Sequence, residues 1–145
     1  MPKVSDLLKQ KGSEVASVYE SDSVLKAAHL MNDHKIGSVV VTEGEKVVGI
    51  FTERDILVRV VAAELDPSTT KVGDVMTRPV AACCPHTDLE ECKGVISSKR
   101  IRHLPVVDDG RLVGIVTSGD LLAAEAKDQA DTIEYLYDYL YGKQP

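Results

Sequence analysis

Tryptophan is absent from this 145-residue chain, and Phe51 is its only phenylalanine. A core with so little aromatic bulk has to be built from Val, Ile, Leu and Ala. Basic runs are missing too. The formal charge is −6, which repels phosphate backbones at long range, so neither nucleic-acid binding nor a membrane surface is expected as a partner. No apolar run approaches the length of a membrane span, and the opening MPKVSDLLKQKG lacks the apolar centre of a signal peptide. The expected compartment is the cytoplasm.

Cysteine is scarce: Cys83, Cys84 and Cys92. An odd count with two neighbours is a poor disulfide framework and suits a reducing compartment. Cys83, Cys84 and His86 could form a metal corner, but no second Cys/His pair at zinc spacing follows. The expectation is no metal, with buried inert thiols. Phosphate-loop, HExxH and GxSxG motifs are absent, and His29, His34, His86 and His103 have no evident nucleophile partner. The chain is therefore read as non-enzymatic, with a thiol redox role for Cys83 and Cys84 as the catalytic alternative.

What is present is a repetition. GIFTERD at 49–55 returns as GIVTSGD at 114–120. Between 36–55 and 101–120 the identical pairs are Ile36/Ile101, Val41/Val106, Val48/Val113, Gly49/Gly114, Ile50/Ile115, Thr52/Thr117 and Asp55/Asp120. Ordinary residue usage would give about one or two. Further back, VSDLL at 4–8 matches VGDVM at 72–76, with three extra residues in the first copy. Two copies imply a pseudo-symmetric pair.

Each copy opens with a short turn (Val4–Leu8; Val72–Met76) and a β-prone stretch (Ala16–Tyr19; Pro79–Ala82). A helix follows. Val24, Ala27, Ala28 and Met31 make one apolar stripe after Ser21, Asp22 and Ser23; Leu89, Cys92 and Ile96 repeat it after Thr87 and Asp88. Next come hairpins at 38–51 and 103–116, in which Pro105 restricts its strand to an edge or a late start. A closing helix runs from Thr52 to about Glu64, with Ile56, Leu57, Val60 and Val61 inward, and from Thr117 to about Lys127. The fold class is α/β (α+β): two β-α-β-β-α repeats packed through their sheets, plus a C-terminal helix. The expected division is a first repeat at 1–65, a linker at 66–70, a second repeat at 71–127 and a tail at 128–145.

In the repeated motif, glycine permits close approach to the strand and threonine stands at a helix N-cap. Aspartate falls at the third helical position, near the positive end of the helix dipole. Thr-x-x-Asp also fits a capping box, which binds nothing. Recurrence of the whole pattern, and an acid shorter than the usual Glu or Gln, favour capture of vicinal hydroxyls such as those of ribose.

The motif pair, with KIGSVVV and RIRHLPVVDDGRLVGIVT, resembles a tandem of cystathionine-β-synthase (CBS) domains, a Bateman module, over nearly all of residues 1–127. The resemblance implies two clefts for adenosyl ligands: AMP, ADP or ATP, and in some members NAD or S-adenosylmethionine. It implies that Asp55 and Asp120 hold ribose, with Thr52 and Thr117 near ribose and phosphate. Arg102 and His103 would serve phosphate in the Asp55 cleft, and Arg54 in the Asp120 cleft. The base would lie near Val18, Ile36 and Gly37, or near Val80 and Ile101. Gly37, Ser38 and Gly119 replace polar or basic counterparts, so the clefts are unequal and the Asp55 cleft is expected to bind more tightly. A second reading is an interaction scaffold with decayed clefts.

In the tail, Ile133, Leu136, Tyr137 and Leu140 form a stripe, with Tyr135 and Tyr139 on another face, Asp131 or Thr132 as cap and Gly142 as stop. Four of the five tyrosines lie there. The helix either folds onto its own chain or meets a second copy; the resemblance implies a homodimer and a regulated protein partner.

Overall fold

The computed structural model describes residues 2–78 and 80–142. The first repeat contains α1 (Val4–Lys11), β1 (Ser17–Tyr19), α2 (Val24–His34), β2 (Ser38–Glu43), β3 (Lys46–Thr52) and α3 (Glu53–Asp55), which runs into a π-helix at Ile56–Val61. The second contains α4 (Val72–Val75), α5 (Leu89–Lys99), β4 (His103–Asp108), β5 (Arg111–Thr117) and α6 (Ser118–Tyr141). No helix among the described residues is long and apolar enough to cross a membrane.

The repetition survives in detail. The helices α2 and α5 both end on left-handed residues, Lys35 and Arg100, each with φ of 54°. Both hairpins are antiparallel, and each carries a bulge at the same place, Val41/Thr42 and Val106/Val107. In the first repeat β1 pairs in parallel with β2, placing Val18 beside Val41. The second keeps only the equivalent bridge, Cys83 beside Val106, in place of a strand at 79–82; Pro79 lies outside the described residues. The cause is chemical. The Val40 N–H donates to the Ala16 carbonyl at 3.1 Å, whereas the matching residue, Pro105, has no N–H. Pro105 sits in a two-stranded sheet, where it costs the hairpin nothing.

The cores are built by exchange. Val18, Val24, Ala27, Met31, Val39, Val41, Phe51 and Val60 of the first repeat enclose Val72, Val75 and Met76 from the second repeat's opening helix. Val4 and Leu7 of α1 are buried in turn among Leu89, Cys92, Ile96, Leu104, Val106, Val116 and Leu121. Backbone bonds fix the exchange: Val4 N–H to Thr87 O and Leu89 N–H to Pro2 O, matched by Val72 N–H to Asp22 O and Val24 N–H to Thr70 O. Neither repeat completes its core alone.

Two helix expectations need correction. The i+5 bonds of the π-helix, such as Ala62 N–H to Leu57 O, widen the turn, so a stripe spaced for an α-helix does not hold. Val60 is buried and Ile56 half-buried, while Leu57 and Val61 are more than 60% exposed. The helix expected to close near Lys127 instead continues to Tyr141. Ala, Glu, Lys and Gln at 123–130 are strong helix formers, and neither Gly nor Pro interrupts them. Gly142 does end the helix, and the stripe of Ile133, Leu136, Tyr137 and Leu140 is exposed rather than folded onto its own chain.

Candidate functional site

Each repeated motif passes from strand to helix at its threonine. Thr52 and Thr117 are N-caps in extended conformation, accepting a bond from the N–H of Asp55 (3.2 Å) and Asp120 (3.0 Å). The aspartates answer: Asp55 Oδ2 accepts the Thr52 N–H at 3.0 Å, and Asp120 Oδ2 accepts the Thr117 N–H at 2.9 Å. Both copies therefore form complete capping boxes, with Asp in the place more often held by Glu. Capping consumes part of each carboxylate. An ionised carboxylate has about four acceptor positions, so capping alone does not exhaust it.

The remaining contacts differ between copies, and in each copy one of them crosses the repeat boundary. Thr77, just after α4, donates its hydroxyl to Asp55 Oδ1 at 2.9 Å, and Arg59 Nε stands 3.8 Å from the same oxygen. Arg59 also donates to the Met76 carbonyl at 2.8 Å, which ties the first repeat's π-helix to the end of α4. Asp120 instead receives the Lys11 ammonium on Oδ2 at 2.6 Å, and Lys11 also donates to the Ile115 carbonyl at 3.0 Å. Sequence reading missed all three: nothing in the spacing of Thr77 and Lys11 marks them, since only the exchanged helices bring them to the acids, whereas Arg59 stands four residues after Asp55 and its i,i+4 spacing was a local signal.

His103 is half-buried, opposite Thr117 in the hairpin register. Burial lowers its imidazole below the ordinary range; Glu53 opposes this, Arg102 and Lys11 reinforce it, and Asp120 opposes it. His103 thus stands within electrostatic reach of Glu53, which begins α3, and of Asp120, which lies in the first turn of α6. Arg102 and Arg54 are exposed. The Gly37 carbonyl accepts the Glu53 N–H at 3.0 Å, as the Arg102 carbonyl accepts the Ser118 N–H at 2.9 Å. Gly37 leaves room for the Glu53 carboxyl, 3.3 Å from where a Cβ would stand. Ile36 is exposed, Ile101 packs against the second core, and the Val18 side chain is committed to the first.

Val80 lines a cavity of about 580 Å³ with Val47, Val48, Ala82 and Val107, and with Lys46 and Arg78 beside it. A second cavity of about 250 Å³ has Ser13, Val15, Ser17 and Thr42, the residues that become Arg78, Val80, Ala82 and Val107 when the repeat is applied. These cavities lie toward the hairpin turns, and neither includes Thr52, Asp55, Thr117 or Asp120.

One polar group nearer the motif has no partner. The Ser38 hydroxyl, opposite Thr52 in the hairpin register, is buried without a hydrogen bond among the described residues. Leaving such a group unpaired costs about 1–3 kcal/mol.

The thiols divide. Cys92 is buried, as expected of its place on the α5 stripe. Cys83 is a partly buried free thiol whose Sγ donates to the Pro105 carbonyl at 3.7 Å, and the Cys92 thiol beside it, with burial, raises its pKa well above the thiol range. Cys84 corrects the expectation of buried thiols: it is exposed, its sulfur lies 3.3 Å from the Thr87 hydroxyl, and that contact lowers its pKa. Among the described residues no cluster of three or more His, Cys, Asp or Glu could hold a metal.

Comparison with known proteins agrees with this architecture. A family model described as CBS domain matches residues 4–62 and 72–127. The structure of a putative signal-transduction protein with CBS domains from Burkholderia ambifaria is 36% identical, covers 88% of this chain and 96% of its own, and superposes with a TM-score of 0.84. A CBS domain protein from Pyrobaculum aerophilum, solved in complex with AMP, is 25% identical over 82% of this chain and 89% of its own, with a TM-score of 0.73. The CBS domain pair of protein MJ0100, solved with 5′-methylthioadenosine and S-adenosylmethionine, is 28% identical over 88% of this chain and 98% of its own, with a TM-score of 0.78. With both repeats matched and the pair's architecture shared, the chain belongs to the CBS domain family as a tandem CBS protein.

Proposed function

We propose that this protein is a non-catalytic regulatory module, working in the cytoplasm, that binds adenosyl ligands in two clefts headed by Asp55 and Asp120. The observation that carries the reading is the pair of carboxylates. Each is set at a helix start and bonded by a residue of the other repeat, Thr77 on Asp55 and Lys11 on Asp120. A ligand whose ribose hydroxyls take either acid competes with that bond. It therefore acts on the contact between the repeats, and a ligand shifts an arrangement only through such differential binding. The unpartnered Ser38 hydroxyl beside Thr52 is a further donor for a polar ligand. The complexes of the two relatives with AMP and with S-adenosylmethionine support the ligand class.

Within that class AMP, ADP and ATP are the first choice, because Arg102, His103 and Arg54 offer positive or protonatable groups to phosphate. NAD and S-adenosylmethionine are the alternatives. We further propose that the chain is a homodimer, joined through the exposed stripe of α6, and that ligand occupancy is read by a regulated protein.

Calorimetry with AMP, ATP, NADH and S-adenosylmethionine tests the ligand. Replacing both Asp55 and Asp120 by asparagine should weaken the best of them by about tenfold or more, since hydrogen bonds to a charged acceptor contribute about 1.5–3 kcal/mol each. Undiminished binding by the double variant would refute the assignment. No binding of any member by the wild type would favour an interaction scaffold with decayed clefts.

A further inference from the structure

Lys11 treats Asp120 as a ligand would. Its ammonium lies 2.6 Å from Oδ2, the same oxygen that accepts the Thr117 N–H, while its second bond goes to the Ile115 carbonyl at 3.0 Å. No described residue donates a hydrogen bond to Oδ1. Vicinal hydroxyls grip a carboxylate best through both oxygens, and here one is already doubly bonded. The Asp120 side chain is 21% exposed and that of Lys11 27% exposed, so the pair is shielded well enough for its attraction to count.

The lysine is delivered, not adrift. It is the last residue of α1, whose Val4 and Leu7 are buried in the second core. Leu8 lies against Gly114, 2.8 Å from where a Cβ would stand, and the Gly12 N–H closes the helix end on the Leu8 carbonyl. At Asp55 the opposite repeat contributes the neutral hydroxyl of Thr77 on Oδ1, while the Arg59 guanidinium of the same repeat stands 3.8 Å from that oxygen and gives its short hydrogen bond to the Met76 carbonyl instead, at 2.8 Å. A hydroxyl can donate elsewhere and accept from an incoming sugar. An ammonium only donates, so a sugar hydroxyl can take its place on Oδ2 only when it leaves.

We propose that Lys11 is a built-in occupant of the Asp120 cleft, which makes the chain fill its Asp55 cleft first and release the end of α1 only when a second adenosyl ligand displaces the lysine. This rests on the adenosyl reading above. It gives the two clefts different tasks: occupancy at Asp55 works against Thr77 and the end of α4, and occupancy at Asp120 works against Lys11 and the end of α1.

The test is calorimetry with AMP on the full chain in an Asp55→Asn background, which isolates the Asp120 cleft. Lys11→Met keeps most of the apolar stem and removes the charge. It should tighten AMP about fivefold, the upper range for a partly exposed ion pair. Lys11→Arg, which keeps the cation, should restore the weaker affinity, and thermal unfolding should show all three variants folded. Unchanged or weaker AMP binding with Lys11→Met, while the otherwise wild-type chain still binds AMP at Asp55, overturns the lysine's role and leaves the ligand class standing. Absence of AMP binding in every chain, the wild type included, overturns both.

Discussion

Met76 occupies the space that any side chain on Gly49 would need: a Cβ there would stand 2.5 Å from the methionine sulfur. Gly114 has the same relationship with Leu8, at 2.8 Å. The glycine of the repeated motif thus admits the exchanged opening helix of the other repeat, not a ligand. Gly49→Ala should destabilise the protein by about 1–3 kcal/mol, the usual cost of overpacking, in urea unfolding. In a Met76→Ala background the same change should cost about 1 kcal/mol less, because neighbours couple. Equal costs in both backgrounds would show that the exchanged helix does not set the glycine.

His103 gives a pH signature. Burial is the largest cause that holds its imidazole below the ordinary range, so the fold favours the neutral ring. The native state then binds fewer protons at this group than the unfolded chain does. Its contribution to stability is complete above the unfolded histidine pKa of about 6.5 and is lost as pH falls through the lower native value. Urea unfolding between about pH 5 and pH 8 should show wild type losing stability toward acid relative to His103→Gln. Parallel curves for the two proteins would contradict the depressed value.

The far half of α6 exposes Ile133, Leu136, Tyr137 and Leu140, each at least half accessible. Tyr137 and Tyr141 touch ring to ring on that helix, with centroids 4.9 Å apart. Rigid aromatic side chains with polar tips suit an interface. By light scattering, the full chain should run as a dimer and a chain ending at Lys127 as a monomer. A dimer that survives the truncation would move the interface elsewhere, with Leu57, Val58 and Val61 on the π-helix as the next exposed apolar face.

Several features were open to sequence reading because they are local. The caps at Ser23, Thr52 and Thr117, the stripe of Leu89, Cys92 and Ile96, and both hairpins depend on residues within a turn or two of one another. Errors arose where a local rule met a non-local fact. The stripe at Ile56, Leu57, Val60 and Val61 assumes α-helical spacing, which the π-helix does not provide. The strand expected at 79–82 needed an N–H from residue 105, which is proline. Cys84 follows a partly buried cysteine and is itself exposed, a difference that two identical letters do not carry.

The sequence by itself determined the duplication, the paired Thr-x-x-Asp helix starts and the family, since these are written as spacing and need no partner segment. Only the tertiary structure decided which helix completes which core and what meets each acid. Lys11 and Asp120 are more than a hundred residues apart, and Thr77 and Asp55 belong to different repeats. Their encounters follow from burying the apolar faces of the opening helices Val4–Lys11 and Val72–Val75 in the neighbouring repeat. Burial of apolar surface is non-directional, so a hydrophobic pattern records that a face must be covered without recording by which copy.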